Sequence, residues 1–470
     1  MSPRQWSDKV LVAISSSVVL LYCVVVLAYV ATFPDLRLRV LLTDDLDAQA
    51  ASGMVIRDIP GIRCSGPQPV VGDVLRRIGD QPIHSFNDFS RSLRRLRRAQ
   101  IPPGGLLNSG DDPALVREPL PSLVELETGE RLIAVAFLHG DVPQTSWVFV
   151  QSLPLDEMLL TLIWFLLQLG ITAVGALAVW HRPFDRPARV FFAMCGVTLG
   201  AFVGGFHWWI VASSLPLNVP FVGCALFVPV VSLHFFLTYP RRTWPLTRFP
   251  RTALAALYVV PTITLIWMVC MLGYAHWLAQ SGLADATESI LKSLVTLRDG
   301  IYAYLMFAAG CFLVMLAALA QGYLRTANLI ERNQLKWMFW GGVIGAFPVG
   351  YTLYLALFDQ VEFALGRARV AMFLASLSFM LAYAVAILRF KLMLIDQIVS
   401  KGMRYYAVSL GLTGAFAGLI SLGGLTANFW NAGGPTFPGW QQVITLGAVM
   451  AVAVTMLLWS LDRLQQLIDR

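Results

Sequence analysis

At 470 residues, 57% of them hydrophobic and 13% charged, with a mean hydropathy of +0.66, the chain is far too apolar for a soluble protein, in which roughly a quarter of residues are charged. Its formal charge of +7 comes from 35 basic and 28 acidic residues. In a membrane chain such an excess marks loops held in the cytoplasm rather than nucleic-acid binding. Cys23, Cys195, Cys224, Cys270 and Cys311 lie in apolar runs and leave Cys64 alone in polar sequence. This excludes an intrachain disulfide framework, and no CxxC pair marks a metal or redox site.

The first element is an apolar run at 10–31, preceded by Arg4 and Lys9. It exceeds a secretory h-region, and Thr32-Phe33-Pro34 is a poor cleavage site, so residues 1–32 read as a retained transmembrane anchor.

A polar interval at 33–154 follows, with the pattern of a small α+β domain. Residues 53–59 alternate like a strand, Gly72-Asp73 is a turn, and 74–78 is a second strand closed by Gly79-Asp80. Ser85 is placed to cap a helix running to about Arg98, with Asp88 in its first turn. Phe86, Phe89, Leu93 and Leu96 make one apolar stripe on that helix, and Arg91, Arg94, Arg95, Arg97 and Arg98 make it strongly basic. The basic face is either a solvated surface or a contact for anionic headgroups or an acidic partner. Residues 99–122, rich in Pro and Gly, read as an irregular loop. Two strands flanking Thr128-Gly129 then form a hairpin.

The order strand, Gly-Asp strand, Gly-x-x-Pro turn, helix and hairpin, carried by GDVLRRIGDQPIHSFNDF, resembles a bacterial PDZ domain over about 36–137. The resemblance implies peptide binding by strand addition. Its groove would be formed by Leu36, Leu38 and Val40 on a strand at 36–41 and by Phe89 and Leu93 on the helix. This chain departs from the family at the carboxylate loop, which reads Phe33-Pro34-Asp35-Leu36 without glycine. Asp35 would repel a peptide carboxylate.

Nine further apolar runs are long enough to cross a bilayer, for which about 20 residues are needed. They lie at 155–180, 190–212, 217–239, 252–274, 301–323, 337–358, 370–388, 406–426 and 443–461. With the N-terminus inside, the inside segments hold 18 Lys and Arg and the short outside loops 4. That asymmetry orients ten spans with both termini cytoplasmic and puts 33–154 on the extracytoplasmic side of the inner membrane.

Within the spans, Gly196/Gly200/Gly204, Gly341/Gly345 and Gly414/Gly418 recur every four residues, the spacing that lets helices approach closely. No Asp, Glu, Lys or Arg lies deep in a span, which argues against an ion-coupled transporter. None of the six histidines belongs to an HExxH pair, which excludes an intramembrane zinc protease.

The cytoplasmic stretches 331–342 (ERNQLKWMFWGG) and 386–396 (AILRFKLMLID), with Ile398-Val399 and Tyr405-Tyr406, resemble juxtamembrane motifs of multi-span bacterial sensor histidine kinases. The layout is similar to quorum-sensing receptor kinases that carry a PDZ-like domain outside after the first span. In that family a connecting helix leaves the last span, as 462–470 would here. Leu457, Leu461, Leu464 and Ile468 have the a/d spacing of a signal-relaying seam that pairs two copies.

The expectation is a polytopic all-α membrane protein of about ten transmembrane helices with a small α+β, PDZ-like extracytoplasmic domain. The inside segments are too short for a catalytic core, so it is read as no enzyme, with no catalytic residues, cofactor or metal. By the resemblance it senses an extracytoplasmic peptide, lipid or envelope signal. It would work as a homodimer in membrane lipid and relay to a cytoplasmic kinase or response partner, without nucleic acid. The alternative is a non-signalling scaffold that recruits envelope proteins.

Overall fold

The computed structural model describes residues 3–41, 53–108, 113–114, 120–153, 155–181, 183–239, 242–244, 246–281, 286–326 and 328–390. Helix α1 (Pro3–Ala31) leads into a domain built from β1 (Met54–Val55), β2 (Cys64–Ser65), β3 (Val74–Ile78), β4 (Gln81–Pro82), α2 (Phe86–Leu96), β5 (Leu106–Leu107), β6 (Leu123–Leu126), β7 (Arg131–His139) and β8 (Val142–Val150). The chain then returns as α3 (Leu155–His181), α4 (Arg186–Gly205), α5 (Trp208–Ala212), α6 (Leu215–Thr238), α7 (Pro250–Ser281), α8 (Ala286–Arg325), α9 (Leu329–Phe358), α10 (Gln360–Ala364) and α11 (Ala368–Phe390).

Strand β7 organises the sheet. Along one edge it pairs antiparallel with β8, from Arg131 opposite Val150 to His139 opposite Val142. The other edge is shared: β6 pairs with its start and β3 with its end. β1 and β4 flank β3, β2 extends β8, and β5 runs parallel to β6. Alternation explains the main buried face, with Ile133, Val135 and Phe137 of β7 inside, while Leu132 packs on the opposite face with Val124 and Leu126.

The expected strand at 74–78, the hairpin and the helix start form as read. Ser85 Oγ accepts the Asp88 N–H at 3.2 Å, and α2 buries Phe89, Leu93 and Leu96. The expected strand at 53–59 shrinks to β1. Four strands escape the sequence reading, among them the two-residue pairings β2 and β4. β5 sits inside the expected loop, and β8 was hidden because Pro143 and the polar run Gln144 to Ser146 break the strand pattern.

Among the described residues, seven helices are long and apolar enough to cross a membrane: Val10–Ala31, Glu157–Trp180, Arg186–Gly205, Leu215–Thr238, Pro250–Ala275, Lys292–Arg325 and Glu331–Phe358. The chain is a multi-pass membrane protein. The region expected at 370–388 lies in α11, packed on α9, while 406–426 and 443–461 fall outside the described residues. The expected span at 190–212 is interrupted, since α4 stops at Gly205 and α5 restarts at Trp208. Helix α8, with 40 residues, runs well past the apolar stretch that hydropathy marks, because its first turns are polar.

The glycine pattern has its expected structural meaning on two helix pairs. A Cβ at Gly204 would come 2.6 Å from the Phe221 ring on α6, and one at Gly341 would come 2.5 Å from Ala382 Cβ on α11. Gly196, by contrast, has space around it.

Domain and helices share one apolar core. It includes Leu38, Met54, Ile78 and Val135 from the sheet domain and Val26, Val30, Trp164, Phe206 and Ile210 from the helices.

Candidate functional site

The five residues expected to line a peptide groove are all interior. Leu36, Leu38 and Leu93 are 1% exposed, Phe89 is 4% and Val40 is 5%. They belong to the shared core. Nor does 36–41 form a regular strand with a free edge. Asp35 exchanges backbone hydrogen bonds with Gln151 at 2.8 and 2.9 Å, and Arg39 exchanges them with Asp58 and Arg57 at 2.9 and 2.8 Å. In this structure the alternating Leu36, Leu38 and Val40 close the core and present no open slot. Leu457, Leu461, Leu464 and Ile468 lie outside the described residues.

What this segment builds is a junction between domain and bundle. Arg39 grips the Asp35 carboxylate with both terminal nitrogens, at 2.7 and 2.8 Å. Asp35 Oδ1 also accepts the Arg37 N–H at 2.8 Å. That local bond holds Arg37 at φ 59°, a left-handed conformation costing about 1–2 kcal/mol for a residue with a Cβ. Burial alone would lower the Arg39 pKa, but the hydrogen bond and negative charge of Asp35 outweigh it and raise it. The Asp35 charge that seemed set against a peptide carboxylate is thus answered within its own segment.

The Arg39 guanidinium also lies 4.9 Å over the ring of Trp209, the second residue of α5. Phe33 meets the same ring edge-on at 5.9 Å, and Tyr29 Oη is 3.0 Å from Ser213 Oγ. The break between α4 and α5 is therefore where the domain touches the helices.

Beside Trp209, the His207 side chain is fully buried, two residues beyond the end of the α4 crossing segment. Its Nε2 is 2.8 Å from Thr161 Oγ1 on α3, while Nδ1 has no partner among the described residues. Burial, and secondarily the Arg369 charge, push its pKa down to about 3, so the imidazole is neutral. Arg369, in the first turn of α11, pairs with Glu157 on α3. One turn below Thr161, Trp164 donates to Ser376 on α11 at 2.8 Å and stacks on Phe202 at 4.9 Å.

Contacts thus run without a gap from Asp35 and Arg39 through Trp209 and the His207 break to α3 and α11. Sequence reading passed over Arg39 and Trp209 because nothing local joins positions 170 residues apart. The one available signal was the alternation of Asp35, Arg37 and Arg39 with three apolar residues, which implied that the charges share a face.

Comparison with family models, curated proteins and solved structures returns no match to this chain. Among the described residues no three His, Cys, Asp or Glu side chains gather as a metal site would require. The arrangement joins the β-rich domain, through the α4/α5 break, to α3, one of the candidate crossing helices, and to α11.

Proposed function

We propose that the chain is a membrane input module. Its β-rich, PDZ-like domain lies outside the cytoplasm, receives an envelope signal and passes it through the helices to a cytoplasmic partner. The single observation that supports this reading most is the junction at Arg39 and Trp209. A tethered recruitment domain needs only a flexible linker, whereas this one shares its core with the bundle and is pinned at both chain crossings. A shift of the domain then moves the α4/α5 break, and with it α3 and α11. In this reading the seam at 457–468 pairs two copies and carries the shift onward.

The experiment is to append a histidine-kinase core after Arg470 and measure its autophosphorylation in membranes for the parent, Arg39→Ala and Trp209→Ala. A relay predicts a change of output in both variants at equal membrane abundance. Equal output in all three would overturn the relay and favour the scaffold reading, in which no signal passes inward.

A further inference from the structure

We infer that the neck between the domain and α1 is a binding site for the headgroup of an anionic phospholipid in the leaflet on the domain's side. The inference does not depend on the signalling reading. A cavity of about 270 Å³ opens there, walled by both chain crossings, with Ala31, Thr32 and Phe33 on one and Val150, Gln151 and Ser152 on the other. Arg97, which caps the end of α2, and Arg131 of β7 complete it, and no carboxylate lines it. The size suits a headgroup, since pockets for whole drug-sized ligands run to roughly 300–1,000 Å³.

Its depth follows from the sequence. The crossing segment of α1 ends at Ala31, so Thr32 and Phe33 stand where hydrocarbon gives way to phosphate. Tyr29, in the last turn, occupies the level at which aromatic residues anchor to the interface.

The donors are held in place before any ligand arrives. Arg97 donates to Thr32 Oγ1 at 2.6 Å and lies 4.8 Å over the Tyr29 ring. These contacts fix its guanidinium while leaving further N–H groups, and among the described residues no carboxylate pairs with it. Gln151 Nε2 is buried without a hydrogen-bond partner, a cost that a phosphate or glycerol oxygen would remove. Arg131 is only loosely held by Glu125, at 3.5 Å. Two guanidinium groups and an amide match a phosphodiester, to which arginine binds in bidentate fashion.

The lipid tail has a path as well. Leu21, Val24, Val25, Ala28 and Ala31 are exposed along one stripe of α1 that leads straight to the cavity. A soluble anion would gain nothing from that stripe, whereas a phospholipid lays an acyl chain against it. The other arginines of α2 are placed differently: Arg95 bonds to Gln81, Arg91 sits 4.0 Å from Asp88, and neither lines the cavity.

The full chain is purified from native membranes into nanodiscs of phosphatidylcholine doped with dansyl-phosphatidylglycerol, and energy transfer from its tryptophans is titrated. The site predicts saturable binding, weakened roughly tenfold by Arg97→Gln, the size of one lost charge-assisted hydrogen bond. Gln151→Glu keeps the shape, puts a negative charge in the cavity and should weaken binding at least as much. Arg98→Gln, on the exposed basic face, should change it less than twofold. Glycerol phosphate in solution should not compete. Equal losses from Arg97→Gln and Arg98→Gln would reduce the effect to diffuse surface charge and overturn the site. Unchanged binding in both cavity variants would do the same, and full competition by glycerol phosphate would assign the cavity to a soluble phosphate instead.

Discussion

Asp35 and Arg39 form a buried bidentate ion pair, 2.7 and 2.8 Å long, across four residues that are not helical. The carboxylate is 1% exposed, and the guanidinium it holds is the one that covers Trp209. One interaction thus closes the entry segment on itself and fastens it to the helices.

Removing one partner should be worse than removing both. Arg39→Met leaves the buried Asp35 carboxylate with only the Arg37 N–H at 2.8 Å and the Arg37 guanidinium at 3.9 Å, at a cost approaching the roughly 3–5 kcal/mol of a broken buried pair. Asp35→Asn with Arg39→Met retains the shape without charge and should recover more than half of that loss. Thermal unfolding of the purified chain, followed by tryptophan fluorescence, checks the order: parent, then double variant, then Arg39→Met. A double variant no better than the single would show that the guanidinium acts through Trp209 rather than through the ion pair.

Much of the domain was legible because its signals are local. Ser85 with Asp88 names a helix start, and Gly72, Gly79 and Gly129 take the positive φ that their turns require. β8 was not legible, because its identity comes from pairing along the whole of β7, which overrides Pro143. The junction was hidden for a similar reason. Leu36, Leu38 and Val40 announce an alternating strand, but whether such a strand edges a groove or seals a core depends on what packs against it. Here these residues join the core that α1, α5 and β8 share. In the membrane, apolar length marks each crossing but cannot show that 190–212 is broken at His207.

The buried His207 gives the junction a pH dependence whose sign is fixed. The imidazole has a folded pKa of about 3, against about 6.5 in an unfolded chain. Between those values the unfolded state binds the extra proton, so stability is complete above about pH 6.5 and falls as pH drops toward 3. His207→Asn, which keeps a polar group near Thr161 Oγ1 and does not titrate, should flatten this part of the profile. The readout is the difference in melting temperature between parent and variant at pH 7 and at pH 4.5, since carboxylates that titrate in both proteins cancel. A difference that does not widen at the lower pH would rule out His207 as the source.

Glycines that share the four-residue spacing should not be equivalent. Gly341→Ala drives a methyl to 2.5 Å from Ala382 Cβ and 3.2 Å from the Ser378 carbonyl, so α9 and α11 must separate. Overpacking of this kind costs about 1–3 kcal/mol. Gly196→Ala meets its nearest neighbour, Val19, at 3.9 Å, and alanine also favours the helix. Melting temperatures should therefore fall for Gly341→Ala and stay level or rise for Gly196→Ala. Equal effects would mean that the spacing reflects helix flexibility rather than close approach.

Topology is the prediction on which the functional reading stands. From the excess of Lys and Arg in alternate loops, the proposed orientation predicts Asn108 outside the cytoplasm and Arg325 within it. Alkaline phosphatase inserted after Asn108, in the loop that follows β5, should be active, because that enzyme folds only where disulfides form. The same reporter fused after Arg325, at the end of α8, should be inactive, while a cytoplasmic fluorescent reporter there should be bright. Asn108 is exposed, and an insertion there costs little because closure entropy grows slowly with length. Activity in the reverse pattern would place the β-rich domain in the cytoplasm. The junction would survive that result as a coupling device, but no envelope signal could reach it.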